Sequence, residues 1–211
     1  THMCIDNEIR PVNEKDIKNI YEQNQIFSEN GLRVLAFAYK ESEELLCLDN
    51  ECGYIFTGLV AMIDPPREES LEAVNEAKKA GIRPVMITGD HKITAVAIAK
   101  EVGIYCTGDI AVTGTELDNM TDEELDGKIR SISVYARVSP ENKIRIVDAW
   151  QRKGNIVSMT GDGVNDVLAL KEADCSIAMA EGSDAAKNIA NVVLLDSNFA
   201  AMPHIVNQGR R

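Results

Sequence analysis

The segment that most constrains this chain is Ile156-Val157-Ser158-Met159-Thr160-Gly161-Asp162-Gly163-Val164-Asn165-Asp166. A short apolar run is stopped by glycines and carboxylates and feeds a helix from about Val167, which is the pattern of a buried parallel strand opening into a loop at its carboxyl end. In open α/β sheets, ligands bind in the crevice beyond that edge. Glycine at 161 and 163 lets the backbone approach a ligand, and Asp162 and Asp166, four residues apart, can hold a hard cation that keeps most of its water, as Mg²⁺ does. A single Gly-Asp pair reads more simply as a tight turn with solvated acids. The chain repeats the logic at Val85-Met86-Ile87-Thr88-Gly89-Asp90, however, and two apolar strands each ending in Thr-Gly-Asp predict a phosphate and metal site.

The elements around these strands predict an α/β chain in two parts. Residues 13–30 place Ile17, Ile20, Tyr21 and Ile26/Phe27 at helical spacing, with Gly31 as the stop. Residues 32–39 read as a strand, an acidic segment with Glu41, Glu43 and Glu44 as a loop or edge, and residues 53–63 as a second strand. Asp64-Pro65-Pro66-Arg67 ends that strand; two prolines fix their own φ and restrict the residue before them, so a stiff connector and a domain boundary are expected between 1–63 and 64–211. Beyond it a helix at 68–80, a strand at 82–87 and a helix at 94–102 precede a polar excursion with a short acidic helix at 121–129. A strand at 132–136, a helix at 140–152, the Ile156 strand, and strands at 174–179 and 192–195 follow. Strands alternating with helices imply a doubly wound parallel sheet from residue 64 onward. Residues 1–63 read as a different, incomplete body of α+β type.

Charge and cysteine usage remove several function classes. A formal net charge of −12 lacks the basic face that a nucleic-acid partner needs and disfavours anionic lipid. The five cysteines, Cys4, Cys47, Cys52, Cys106 and Cys175, form no Cys-x-x-Cys pair and read as idle thiols of a reducing compartment. His2, His91 and His204 are isolated and show no metal-ligand spacing. No apolar run approaches the roughly 18 residues that cross a bilayer, and no signal peptide is visible, so a soluble polypeptide is expected.

Thr88-Gly89-Asp90, then Ala136-Arg137-Val138-Ser139-Pro140-Glu141-Asn142-Lys143, then Thr160-Gly161-Asp162-Gly163-Val164-Asn165-Asp166 resemble, in that order, the phosphorylation domain of P-type (E1-E2) cation-transporting ATPases. That domain belongs to the haloacid dehalogenase-like superfamily and has a Rossmann-like doubly wound sheet. Asp64-Pro65-Pro66-Arg67 resembles the hinge by which the nucleotide-binding domain rejoins it, and Leu32-Arg33-Val34-Leu35-Ala36 the last nucleotide-binding element before that hinge. The resemblance implies that residues 1–63 are the C-terminal part of a nucleotide-binding domain and 64–211 a phosphorylation domain. It also implies a segment on the cytoplasmic side of a multi-pass cell-membrane protein. Its partners would be the rest of its own chain, namely nucleotide-binding, actuator and membrane domains, and a transported cation. The stretch through Lys143 and Gly161 looks most like bacterial calcium-transporting members. The chain departs from the family's more frequent Asn-Asp-Ala-Pro-Ala-Leu with Asn165-Asp166-Val167-Leu168-Ala169-Leu170.

The family's first motif, Asp-Lys-Thr-Gly-Thr, whose aspartate is phosphorylated by ATP, is missing. Asp64 is followed by Pro65, which has no N–H for a phosphate cradle; Asp109 opens an apolar run instead of closing one, and Ala111 stands where a threonine or acid is needed. The expectation is a fragment that supplies Mg²⁺ and phosphate-binding residues without the nucleophile and is inactive alone. By the same resemblance Thr88 and Gly89 offer a hydroxyl and a backbone N–H to the phosphoryl group, Lys143 an ammonium and Asn165 an amide. Asp162 would be the direct Mg²⁺ ligand, with Asp166 holding a metal-bound water or orienting the site. Asp90 and Arg137 would face the ribose or phosphates of ATP, and Arg33 would reach across from the other domain. Read alone, Lys143 is a solvated lysine in a helix's first turn and Arg33 an exposed strand residue. Two other readings stay open: a self-sufficient Mg²⁺-dependent phosphatase of the same superfamily, and a non-catalytic nucleotide-binding module.

Overall fold

The computed structural model describes residues 2–6, 8–41, 52–63, 65–196, 198 and 201–209, and the chain divides into two units, Thr1–Pro65 and Pro66–Arg211. Glu43, Glu44, Cys47 and Asp64 lie outside the described residues.

Two short strands open the first unit, β1 (His2–Ile5) and β2 (Glu8–Pro11), paired antiparallel. Asn13 and Asp16 form a capping box that starts α1 (Glu14–Glu29). Arg10 of β2 grips the same Asp16 with both guanidinium nitrogens, at 2.6 and 2.7 Å, and so ties the strand to the helix start. The strands β3 (Arg33–Tyr39) and β4 (Ile55–Met62) pair antiparallel, and β4 also runs parallel to β1, giving the order β2-β1-β4-β3. Leu35, Phe37 and Tyr39 alternate along β3 and all remain exposed, as do Val60 and Met62 of β4.

The second unit begins with α2 (Glu68–Lys79), β5 (Met86–Thr88) and α3 (Lys92–Glu101). The strand expected from residue 82 starts only at Met86, and Pro84, with no N–H to donate, stands in the part that does not pair. The expected polar excursion contains a strand, β6 (Ile110–Thr113), that runs directly into α4 (Gly114–Asp118) and then α5 (Asp122–Lys128). Next come β7 (Ile132–Ala136), α6 (Pro140–Arg152), β8 (Ser158–Gly161), a 3-10 turn at Val164–Asp166, α7 (Val167–Glu172), β9 (Cys175–Met179), α8 (Asp184–Ile189), β10 (Val192–Leu194) and α9 (Ala201–Gly209).

All of the strand pairs in this unit are parallel, as the alternating pattern requires, but they form two three-stranded sheets, β5-β7-β6 and β10-β9-β8. No ladder joins β5 to β8 among the described residues. The core covers both faces of the first of these sheets. Val134 and Ala136 of β7 pack with Ala95 and Ala99 of α3, while Tyr135 packs with Leu117, Leu125, Ile146 and Ala149 of α4, α5 and α6. Ile87 of β5 touches that second cluster and also the one around Met159 of β8, Leu170 and Ala178, so the unpaired edges of the two sheets adjoin.

Truncation of Leu117, which is fully buried, to alanine should lower the stability of the second unit by about 3 kcal/mol in chemical denaturation, against under ~1 kcal/mol for Leu35→Ala on the exposed strand β3. The Arg10 hydrogen bonds, followed by the Asn13 N–H, hold the Asp16 carboxyl at about 2, well below its ordinary 3.8. The pair therefore contributes fully above pH 3.8 and is lost as pH falls through about 2; an NMR titration of Asp16 should show that low midpoint.

Candidate functional site

Helix α6 shows how the site is assembled. It follows the carboxyl end of β7, is capped by a Ser139–Asn142 box and has Pro140 in its first turn, where no N–H is missed. That turn carries Lys143, whose Nζ donates to Asp166 Oδ1 at 2.5 Å, beyond the carboxyl end of β8. The carboxyl ends of β7 and β8 therefore lie on one side. Thr88 stands opposite Ala136 in the β5–β7 register, so Thr88-Gly89-Asp90 and Arg137 leave their sheet at the same edge.

The loop after β8 is set by close approach. A Cβ on Gly161 would lie 2.6 Å from Asp166 Cβ, so only glycine leaves room for that carboxylate to fold back. Asp166 is 8% exposed, and its Oδ2 accepts the Gly163 N–H at 3.2 Å, which pins the start of the 3-10 turn. From the other side the turn after β9 closes on the loop: Ser183 N–H donates to the Asp162 carbonyl at 2.7 Å, and a Cβ on Gly182 would sit 2.9 Å from that oxygen. The side chains of Asp162 and Asn165 are left exposed.

Lys143 and Asp166 are thus in direct contact, and Asp162 and Asn165 share their loop. Thr88 is engaged locally: its hydroxyl donates to Asp90 Oδ2 at 3.0 Å and accepts the Asp90 N–H at 3.1 Å. Gly89 is open, with nothing within 4 Å of a built Cβ. Arg137 is exposed and holds a left-handed φ of 50°, uncommon for a residue with a side chain. Arg33 lies on β3 of the first unit, exposed, and is not brought to these residues within either unit. Asp109 accepts from Arg83 and from the Cys106 N–H and precedes β6, so it sits at the amino end of a parallel strand, away from the site edge. Sequence reasoning passed over Gly182 and Ser183, because their role depends on a turn folding back from 20 residues away; the small-residue run Gly182-Ser183 was the one available sign.

The donor set suits a strongly hydrated cation. Among the described residues no three His, Cys, Asp or Glu side chains converge; a cation that keeps most of its water, as Mg²⁺ does, needs only one or two protein carboxylates. Asp162 has the unengaged carboxylate. Asp166 already accepts from an ammonium and an amide.

The family model of haloacid dehalogenase-like hydrolases matches residues 14–174, and a second model of that description matches 144–205. A calcium-transporting ATPase of Listeria monocytogenes is 52% identical over the whole chain, and one of Lactococcus lactis is 54% identical over 89% of it. The alpha-1 subunit of a sodium/potassium-transporting ATPase of Oreochromis mossambicus is 45% identical over 82%. The chain spans only 24%, 22% and 19% of the lengths of these three relatives. No described helix is long and apolar enough to cross a membrane.

Removing Lys143 strands a buried carboxylate. Lys143→Ala should cost about 2 kcal/mol in chemical denaturation, whereas Asn165→Ala on the exposed side of the same loop should stay within about 0.5 kcal/mol.

Proposed function

The chain belongs to the haloacid dehalogenase-like hydrolases, and from that premise we propose that it is the phosphorylation-domain segment of a P-type cation pump, preceded by the end of its nucleotide-binding domain. It carries phosphate- and Mg²⁺-binding residues and lacks the nucleophile. The observation that supports this most is the divided sheet. Among the described residues no strand pairs the adjoining edges of β5 and β8, and each strand runs into Thr-Gly-Asp. One further parallel strand between them would make a continuous sheet in the order β10-β9-β8-x-β5-β7-β6, and its carboxyl end would open between Thr88 and Asp162. A reacting group delivered there would meet the donors of both loops. The relatives, about four times as long, have ample chain to supply it.

In this reading the parent enzyme transfers the terminal phosphoryl group of ATP to the aspartate of Asp-Lys-Thr-Gly-Thr and then hydrolyses the acyl phosphate, coupling the two steps to ion movement across a membrane. Lys143, fixed by Asp166, places positive charge beside the transferring oxygens. Thr88, Gly89 and Asn165 donate hydrogen bonds to them, and Arg137 and Asp90 contact the nucleotide. Bound Mg²⁺ neutralises phosphoryl charge. Asp162 would hold it, and Asp166 would hold a metal-bound water or, engaged by Lys143 and the Gly163 N–H, orient the site. Arg33, on β3, is the nucleotide-binding candidate of the first unit. The segment lies on the cytoplasmic side of the parent's membrane, and the names of the relatives above half identity favour calcium as the transported ion.

The purified chain with Mg²⁺ should leave acetyl phosphate and aryl phosphates intact, as should its Asp162→Asn variant. Fusing an apolar strand ending in Asp-Lys-Thr-Gly-Thr to the chain should allow Mg²⁺-dependent transfer of the phosphoryl group of acetyl phosphate to that aspartate, with release of acetate, and Asp162→Asn should abolish it. Turnover by the unfused chain, lost in Asp162→Asn, would instead identify a self-sufficient phosphatase.

A further inference from the structure

Helix α4 is only five residues long, yet it touches both segments that carry Arg137 and Lys143. At its start Gly114 lies against the loop after β7: a Cβ there would stand 2.5 Å from the Arg137 carbonyl oxygen and 2.9 Å from Asn142 Oδ1. The φ of Gly114 is not the reason for glycine here; the reason is the packed carbonyl. Arg137 itself holds a left-handed backbone, a conformation that persists in a residue with a side chain only where its surroundings enforce it. At the end of α4, Asp118 Oδ1 accepts from Asn142 Nδ2 at 2.6 Å. Asn142 is 5% exposed, and its Oδ1 takes the Ser139 N–H that closes the capping box of α6. Arg145, one turn on, donates to the carbonyls of Leu117 and Met120 at 2.7 and 2.5 Å. The first turn of a helix has backbone donors without helical partners, so what holds that turn decides where its side chains stand.

A third tie runs to the loop after β5. Lys92, in the first turn of α3, donates to both oxygens of Glu116 at 2.9 and 2.8 Å. The Thr113 N–H adds a bond at 2.6 Å, and Lys92 with this N–H holds the Glu116 carboxyl below its usual range.

We infer that α4 is the brace that sets where Arg137 and Lys143 stand, with Gly114, Asp118 and Asn142 as its positioning residues. The claim rests on the proposed function only for what those two cations hold. Their placement is a property of this chain alone. Gly114 sets how closely the Arg137 loop approaches, and Asp118 through Asn142 stops the first turn of α6 from fraying, which keeps Lys143 within reach of Asp166.

The test reads position without phosphate or metal, so it can fail or succeed independently of the proposed function. The intact chain is treated with a small excess of acetic anhydride, and acylation of each lysine is followed by mass spectrometry. In Gly114→Ala and in Asp118→Ala, which replaces an exposed side chain, Lys143 should react about tenfold faster relative to Lys100 and Lys187, the scale of one lost charge-assisted hydrogen bond. Asp118→Asn keeps an acceptor for Asn142 and should remain within about twofold of the parent. An unchanged Lys143 in both variants overturns the inference. So does a rise shared equally by Lys100 and Lys187, because that pattern reports loss of fold and not displacement of one turn.

Discussion

A carboxylate buried against glycine is the constraint on which the site edge depends. Asp166 is removed from water, a state that is expensive for an anion without a partner, and the structure meets it with one ammonium and one backbone N–H. Each comes from a different piece of chain. Lys143 belongs to the start of α6, Gly163 to the turn itself, and the space for the carboxylate exists because Gly161 at the end of β8 has no Cβ. One interaction thus joins the β7–α6 connection to the end of β8 and the beginning of α7. It also divides the work of two acids in one loop: Asp166 is used up in holding the site together, and Asp162, whose carbonyl is pinned while its carboxylate is not, stays open to a ligand.

The edge strands of the divided sheet depend on packing more than on pairing. β5 has three residues and one partner strand, β8 four residues and one, so neither ladder is worth much by itself. What holds them is burial from outside the sheets: α3 covers one face of β5-β7-β6, α4 to α6 the other, and Ile87 reaches the cluster beneath β8. Short strands packed this well against helices hold their place with one edge unpaired among the described residues. A long exposed edge could not do so without inviting association.

Where local chemistry determines an element, the sequence shows it. Pro140 and Ser139 mark the start of α6, the uninterrupted apolar run marks β7, and the Thr-Gly-Asp stops mark the ends of β5 and β8. Elements that exist because something else binds them were not visible. β1 and β2 are four residues each and owe their pairing to β4 and to the Arg10–Asp16 contact; β6 is four residues that look like the rim of a polar loop until β7 lies beside them. The Thr113–Glu116 capping box was there to be read and would have announced α4. In the site, spacing alone identified which residues share a loop. The Lys143–Asp166 contact joins residues 23 apart, and the need for glycine at 114 and 182 comes from carbonyls that pack there only after folding. Arg33 shows the converse: a motif fixes its strand, while its place relative to the site depends on a second body.

The charge of the chain bears on how the proposed site would take hold of phosphate. With a formal net charge of −12, the field at a distance repels a polyanion, and steering by a broad basic surface is not available. Affinity must then arise within a Debye length, roughly 10 Å at moderate salt, from cations placed at the strand ends. Lys143 and Arg137 are so placed, but Lys143 is already shared with Asp166, and Asp90 and Asp162 add negative charge to the same edge. Two cations against three carboxylates do not make an anion site. A divalent cation at Asp162 reverses the local balance and arrives naturally with a nucleotide, which makes phosphate binding in the proposed reading conditional on the metal and places the selectivity of the site in its carboxylates.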